Sequence, residues 1–122
     1  MAPGTGIFGI AAGPDGNLSF TEFYTAGIGR VTTTGTITEF AATSGSGPNG
    51  IASGPDGNLW FTQRGAPSGT GGTGIGRCTT AGVITVFPTK TAGATPYSIT
   101  RGPDGNMWFT ENTANNIAKI VP

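Results

Sequence analysis

The sequence contains no histidine, a single cysteine, and only six basic and six acidic residues among 122. The missing imidazole takes away the usual general base near neutral pH and the commonest metal ligand. Cys78 alone can form neither an internal disulfide nor a cysteine zinc cluster, and reads as a small buried apolar residue. Charged residues make up 10% of the chain, against about a quarter in an ordinary soluble protein. A net charge of zero leaves no electrostatic footprint for a nucleic acid or an acidic membrane surface. Apolar runs are as short as Leu59-Trp60-Phe61, far below the ~18 residues that span a bilayer. Neither nucleic acid nor membrane is therefore an expected partner. Residues 1–6 offer no basic n-region and no apolar h-region, so no signal peptide is expected and the cytoplasm is the default location.

What the chain has in abundance is glycine (23) and proline (9), and they recur in register. Gly13-Pro14-Asp15-Gly16-Asn17-Leu18 returns as Gly54-Pro55-Asp56-Gly57-Asn58-Leu59 and as Gly102-Pro103-Asp104-Gly105-Asn106-Met107. An aromatic–threonine pair follows each copy: Phe20-Thr21, Phe61-Thr62 and Phe109-Thr110. Ile28-Gly29-Arg30 matches Ile75-Gly76-Arg77, with Ile117-Ala118-Lys119 as a looser third copy. Thr36-Ile37-Thr38-Glu39-Phe40 matches Val83-Ile84-Thr85-Val86-Phe87, and the third unit has no copy of this segment. Two whole units and most of a third are present, and self-similarity at such a period marks a repeat architecture.

Each unit reads as four short strands, because β-branched and aromatic residues fill the runs while Gly, Pro, Asp and Asn fill the gaps. Strands are expected near 7–12, 17–23, 28–33 and 36–41, near 49–53, 58–64, 75–80 and 83–87, and near 97–101, 106–112 and 116–121. Pro-Asp-Gly-Asn supplies a hairpin turn: proline presets φ, aspartate bonds its own backbone, and glycine accepts the left-handed position. A half-wet strand alternates apolar and polar residues. Leu59-Trp60-Phe61 and Met107-Trp108-Phe109 do not, so these strands need cover on both faces. Stacked four-stranded antiparallel sheets provide it, which gives an all-β fold of β-propeller blades over about 7–41, 48–88 and 96–122. A single small β-sandwich is the competing architecture.

These motifs, through to Pro96-Tyr97 ahead of the third unit, resemble the streptogramin B (virginiamycin B) lyases across the whole chain. The resemblance implies a seven-bladed propeller that linearises a cyclic depsipeptide antibiotic by elimination. It also implies chemistry that rests on histidine, carboxylates and a bound magnesium. This chain carries under three blades and no histidine, so the resemblance implies the fold and not the activity. Glu22, Glu39 and Glu111 remain as proton acceptors, with ordinary carboxylates weak bases at pH 7.

In a propeller the loops joining second to third strands share a rim with the blade-to-blade connections. That rim gathers Glu22, Phe23 and Tyr24, then Gln63 and Arg64, then Glu111 and Asn112, with Asn49 and Tyr97 from the connections. A six-residue insertion falls here, within 65–74, either as a recognition loop or as a tolerated insertion. Glu22 and Glu111 are the candidates for catalysis and for a divalent cation; solvated or arginine-paired glutamates are the plainer reading. No cofactor is expected, with magnesium only if lyase activity is retained. Arg30, Arg77 and Lys119 are expected to bond inter-blade carboxylates or carbonyls. Ser19 stands where the other units have tryptophan, at the loss of a large buried side chain.

The end sheets of an open set would each bare one apolar face, which makes an association surface. The expected partner is a second copy, unit three of one chain packing on unit one of the other in a six-bladed ring. The last strand, near 117–121, is expected to be an open edge, for which residues 1–6 make a poor substitute strand. Three functions compete: a self-assembling, non-catalytic propeller fragment; a streptogramin lyase-like enzyme in antibiotic resistance; and a small-molecule or glycan-binding rim.

Overall fold

A computed structural model describes residues 3–66, 69 and 74–122. Among these residues every element is a strand, and no helix is long and apolar enough to cross a membrane. Blade 1 consists of β1 (Ile7–Ala12), β2 (Leu18–Glu22), β3 (Gly27–Val31) and β4 (Ile37–Ala41). Blade 2 consists of β5 (Pro48–Ser53), β6 (Leu59–Gln63), β7 (Gly74–Cys78) and β8 (Ile84–Pro88). Blade 3 has β9 (Pro96–Arg101), β10 (Met107–Glu111) and β11 (Asn116–Ile120), and no fourth strand. Each sheet is antiparallel and runs in sequence order, and the three sheets form an open arc. The architecture expected from the repeat is the one observed, with strand ends shifted by a residue or two. β3 stops at Val31, for example, because Thr32 enters the next turn, its N–H bonded to the Thr36 carbonyl at 2.9 Å.

The Pro-Asp-Gly-Asn turns form as their chemistry requires. Gly16, Gly57 and Gly105 sit at φ near +80°, at 80°, 77° and 78°. The carboxylates of Asp15, Asp56 and Asp104 accept from the N–H two residues on, at 3.1, 3.3 and 3.2 Å. The sequence did not reveal a second duty of these aspartates. Asp56 also accepts the indole N–H of Trp60 at 3.0 Å, and Asp104 that of Trp108 at 2.9 Å. The Trp108 and Asn106 hydrogen bonds hold Asp104 down to about 2. In blade 1, Ser19 has no indole to offer, and the Arg30 guanidinium stands 3.7 Å from Asp15 instead. The Ser19 hydroxyl is left buried without a partner.

Residue parity decides which blade each side chain meets. Along β6, Leu59 and Phe61 point back to blade 1, where with Ile51 and Cys78 they pack on Ile28. Trp60 points forward with Ile75 and meets Ile99, Met107 and Phe109 of blade 3. Two layers of core are thus built from one run of apolar residues, which is why that run does not alternate. Burial also pushes the Cys78 thiol up, in keeping with a packing role. Phe20, Phe61 and Phe109 each lie opposite a small residue of the next strand: Gly29, Gly76 and Ala118. A Cβ on Gly29 or Gly76 would overlap the phenyl ring.

A threonine hydroxyl fastens each blade to the next. Thr21 accepts from the Gly9 N–H at 2.9 Å and donates to the Asn49 carbonyl of blade 2 at 2.7 Å. Thr62 accepts from the Gly50 N–H at 2.9 Å and donates to the Tyr97 carbonyl of blade 3 at 2.8 Å. Thr110 accepts from the Ser98 N–H at 3.1 Å and lies on the exposed forward face of blade 3.

Each third-strand cation lies over an aromatic ring of its own blade. Arg30 donates to the Thr80 carbonyl of blade 2 at 2.9 Å, an inter-blade bond of the expected kind. Arg77 lies over the rings of Trp60 and Phe87, and Lys119 over Trp108. Arg30 also lies 5.5 Å from the ring of Phe40, the counterpart of Phe87 in blade 1.

Candidate functional site

The second strand of each blade ends on the rim with a polar residue: Glu22, Gln63 or Glu111. All three are buried, with 4%, 6% and 2% of their surface exposed. They pack inside their own sheets rather than facing solvent. Glu22 Oε2 accepts from the Thr25 hydroxyl at 3.1 Å and lies against Gly27, where any Cβ would collide with it. Gln63 lies against Gly74 in the same way. In blade 3 Asn116 takes the glycine's place and donates to Glu111 Oε2 at 3.0 Å.

Glu22 and Glu111 both point backward from their sheets, so Glu111 faces blade 2 and Glu22 faces away from it. The structure does not bring the two carboxylates together. Among the described residues no three Asp, Glu or Cys side chains converge. Burial, and then the neighbouring Glu39 carboxyl, raise Glu22 above the ordinary carboxylate range. One of its oxygens has no partner.

That burial carries a prediction. A carboxyl whose folded pKa lies above its unfolded value of 4.5 favours folding fully only below that value, and the benefit is lost as pH rises through the folded pKa. Glu22→Gln, which copies Gln63 of blade 2, is expected to raise the melting temperature at pH 7. The gain should shrink as pH falls below 4.5. Paired thermal melts at pH 7 and pH 4 measure it, and an equal gain at both would remove the ionisation account.

The accessible part of the rim is aromatic and cationic. The Arg64 guanidinium lies 4.2 Å over the Tyr97 ring and 5.7 Å from that of Phe23, and donates to Asn49 Oδ1 at 3.3 Å. Asn49 in turn donates to the Tyr97 carbonyl at 3.0 Å. Phe23, itself buried, contacts Phe8 at 5.1 Å and Tyr24 at 4.9 Å between ring centres. The outer members are open to solvent: Phe8 at 53%, Tyr24 at 55% and Tyr97 at 39%. Asn112 is also exposed, one residue beyond Glu111. The insertion within 65–74 lies mostly outside the described residues.

Tyr24, Asn49, Arg64 and Tyr97 therefore converge as one cluster across three blades, while Gln63 and the two glutamates stand behind it. Sequence reading missed Phe8. The signal was present, since Phe8 holds the position of Asn49 and Tyr97 in the repeat. A stacked guanidinium between aromatic faces suits a planar or carbonyl-rich ligand.

Comparison with known proteins agrees with the fold. The family model described as the virginiamycin B lyase family matches residues 1–122. Virginiamycin B lyase from Staphylococcus aureus is 37% identical with a TM-score of 0.82, over 99% of this chain and 43% of that one. A catalytically inactive histidine-to-alanine variant of that lyase, with quinupristin, is 38% identical with a TM-score of 0.85, over 98% and 42%. A gluconolactonase from Xanthomonas campestris shares the fold at 21% identity and a TM-score of 0.71, over 88% and 35%. No curated protein sequence matches the chain. The chain spans less than half the length of the lyases it resembles. With repeat, blade topology and family model in agreement along all its length, the chain belongs to the virginiamycin B lyase family.

Proposed function

We propose that this chain is a self-assembling set of propeller blades without lyase chemistry of its own. One observation carries the assembly: position-matched residues are buried where a neighbouring blade exists and bare where it does not. Ile28 and Ile75 are each 1% exposed beneath the following blade, while their counterpart Ile117 is 66% exposed. On the opposite faces Ile51 and Ile99 are 8% and 9% exposed, while Ile10 is 63% exposed. The two bare faces are the two halves of an interface that the chain already builds twice. Two copies joined head to tail would present six blades, within the range of known propellers.

Loss of the chemistry rests on composition and geometry together. The related lyase is catalytically inactive when one histidine becomes alanine, and this chain has none. Its buried glutamates are turned into separate sheets. The rim keeps the means to bind, through Arg64 between Phe23 and Tyr97, and this favours ligand binding without turnover as a companion reading.

Sedimentation is expected to give the mass of two chains, and incubation with a streptogramin B and magnesium to yield no linear product. A single-chain mass at micromolar concentration removes the assembly. Linearised antibiotic at useful rates restores the enzyme. A thermal shift by the intact antibiotic in the same samples separates binding from turnover.

A further inference from the structure

We infer that the Asp15–Gly16 peptide is a modification site, the one Asp-Gly turn of three that the folded chain leaves open to cyclic imide and isoaspartate formation. The site lies within blade 1, between β1 and β2, and does not depend on assembly. The reaction joins a side-chain carboxyl carbon to the peptide nitrogen that follows it. The Gly16 nitrogen attacks Asp15 Cγ, so that an N–C bond forms and a C–O bond breaks. The departing hydroxyl leaves as water with the proton from that nitrogen. Solvent water then opens the ring, and opening at the main-chain carbonyl leaves isoaspartate, the chain now running through the side-chain carbon. Glycine in the following position has no side chain to crowd the attack.

All three turns read Pro-Asp-Gly-Asn, so local sequence does not choose among them. What differs is how firmly the two reacting groups are held. The Gly57 N–H donates to the Gly54 carbonyl at 3.4 Å, and Gly105 to Gly102 at 3.2 Å. Among the described residues no such bond ties the Gly16 N–H to Gly13. Asp56 and Asp104 have both oxygens engaged. Their Oδ1 accepts the indole N–H at 3.0 and 2.9 Å, and their Oδ2 the Asn58 or Asn106 amide at 2.9 Å in both turns. Each of these bonds must be given up before the carboxyl carbon can accept an attack. Asp15 keeps the N–H of Asn17 at 3.1 Å, but Ser19 stands in the place of the indole. Its Oδ2 meets Arg30 at 3.7 Å, beyond hydrogen-bond length. Asn49-Gly50 is the Asn-Gly pair of the chain, and the fold shields it. The Gly50 N–H is bound to the Thr62 hydroxyl at 2.9 Å, and the Asn49 amide to the Tyr97 carbonyl and to Arg64 at 3.0 and 3.3 Å.

Prolonged incubation of the whole chain, below its melting temperature, tests the site. Peptide mapping with electron-based fragmentation distinguishes isoaspartate from aspartate at equal mass, and methyl transfer by an isoaspartyl carboxyl methyltransferase counts it. Isoaspartate is expected to accumulate at Asp15 about tenfold or more faster than at Asp56, Asp104 or Asn49. In urea the three Asp-Gly pairs should convert alike, because only the fold separates them. Trp108→Phe removes the indole donor and keeps a ring, so Asp104 should then convert faster, with the melting temperature as the check on folding. Asp15→Glu, whose longer side chain closes an imide far less readily, should remove most of the methyl label. Equal rates at the three turns of the folded chain overturn the inference, and so does Asn49 converting first. A preference for Asp15 that persists in urea overturns it as well, as does an Asp104 rate unchanged by Trp108→Phe.

Discussion

Phe61→Ala is expected to be among the most damaging single changes in the chain, costing about 3–5 kcal/mol. Phe61 is completely buried, lies across Gly76 in its own sheet, and joins Ile51, Leu59 and Cys78 against Ile28 of blade 1. Its loss removes the filling of an inter-blade layer that cannot collapse, because strands held by ladder bonds on both sides fix the spacing. Gly76 has no side chain with which to occupy the space. A domain of this size has a stability of about 5–15 kcal/mol, so the variant should be near or past the point of unfolding at ambient temperature. Urea unfolding followed by tryptophan emission measures it. A loss under about 1.5 kcal/mol would mean that the layer relaxes and that blade spacing is softer than the packing implies.

Thr62→Val should follow, at about 1–3 kcal/mol, although the replacement has nearly the same shape. The cost comes from what the hydroxyl leaves behind. The Gly50 N–H loses its partner between two packed sheets, while the Tyr97 carbonyl loses one of two and keeps the Asn49 amide. Thr110→Val is the internal comparison. In a lone chain Thr110 serves only the Ser98 N–H on an open face, so its change should cost under about 1 kcal/mol. In a closed dimer the same hydroxyl has a carbonyl to meet on the incoming blade, at the position of Phe8. The two threonines should then become alike above the association concentration. Chemical unfolding of both variants across protein concentration reads this directly. A Thr62→Val cost no larger than that of Thr110→Val in dilute solution would remove the hydroxyl's role as an inter-blade fastener.

Much of the fold could be read without coordinates because repetition lets one unit interpret another. The Pro-Asp-Gly-Asn turns are local, set by the φ of proline and glycine and by a carboxylate that reaches two residues on. The non-alternating Leu59-Trp60-Phe61 required cover on both sides, and the structure sends Trp60 forward and Phe61 backward. The site was less legible. Glu22 and Glu111 look like a pair of rim carboxylates in sequence, yet the backward pitch of the last residue of each second strand buries them and turns them into different sheets. Arg64 was singled out, but its stack between Phe23 and Tyr97 joins three blades and has no short-range signature.

The sequence by itself determined the blade: four short strands, their turns, their order, and the need of each sheet for a neighbour on both faces. These follow from backbone preference and side-chain period, which act over a few residues. Only the tertiary structure decided what each polar group does. It showed that two of the turn aspartates hold indoles, that the strand threonines fasten blades, and that the rim glutamates are interior groups. Such roles depend on which chains of atoms the stacking of sheets brings within hydrogen-bonding distance, tens of residues apart. No local preference encodes that distance.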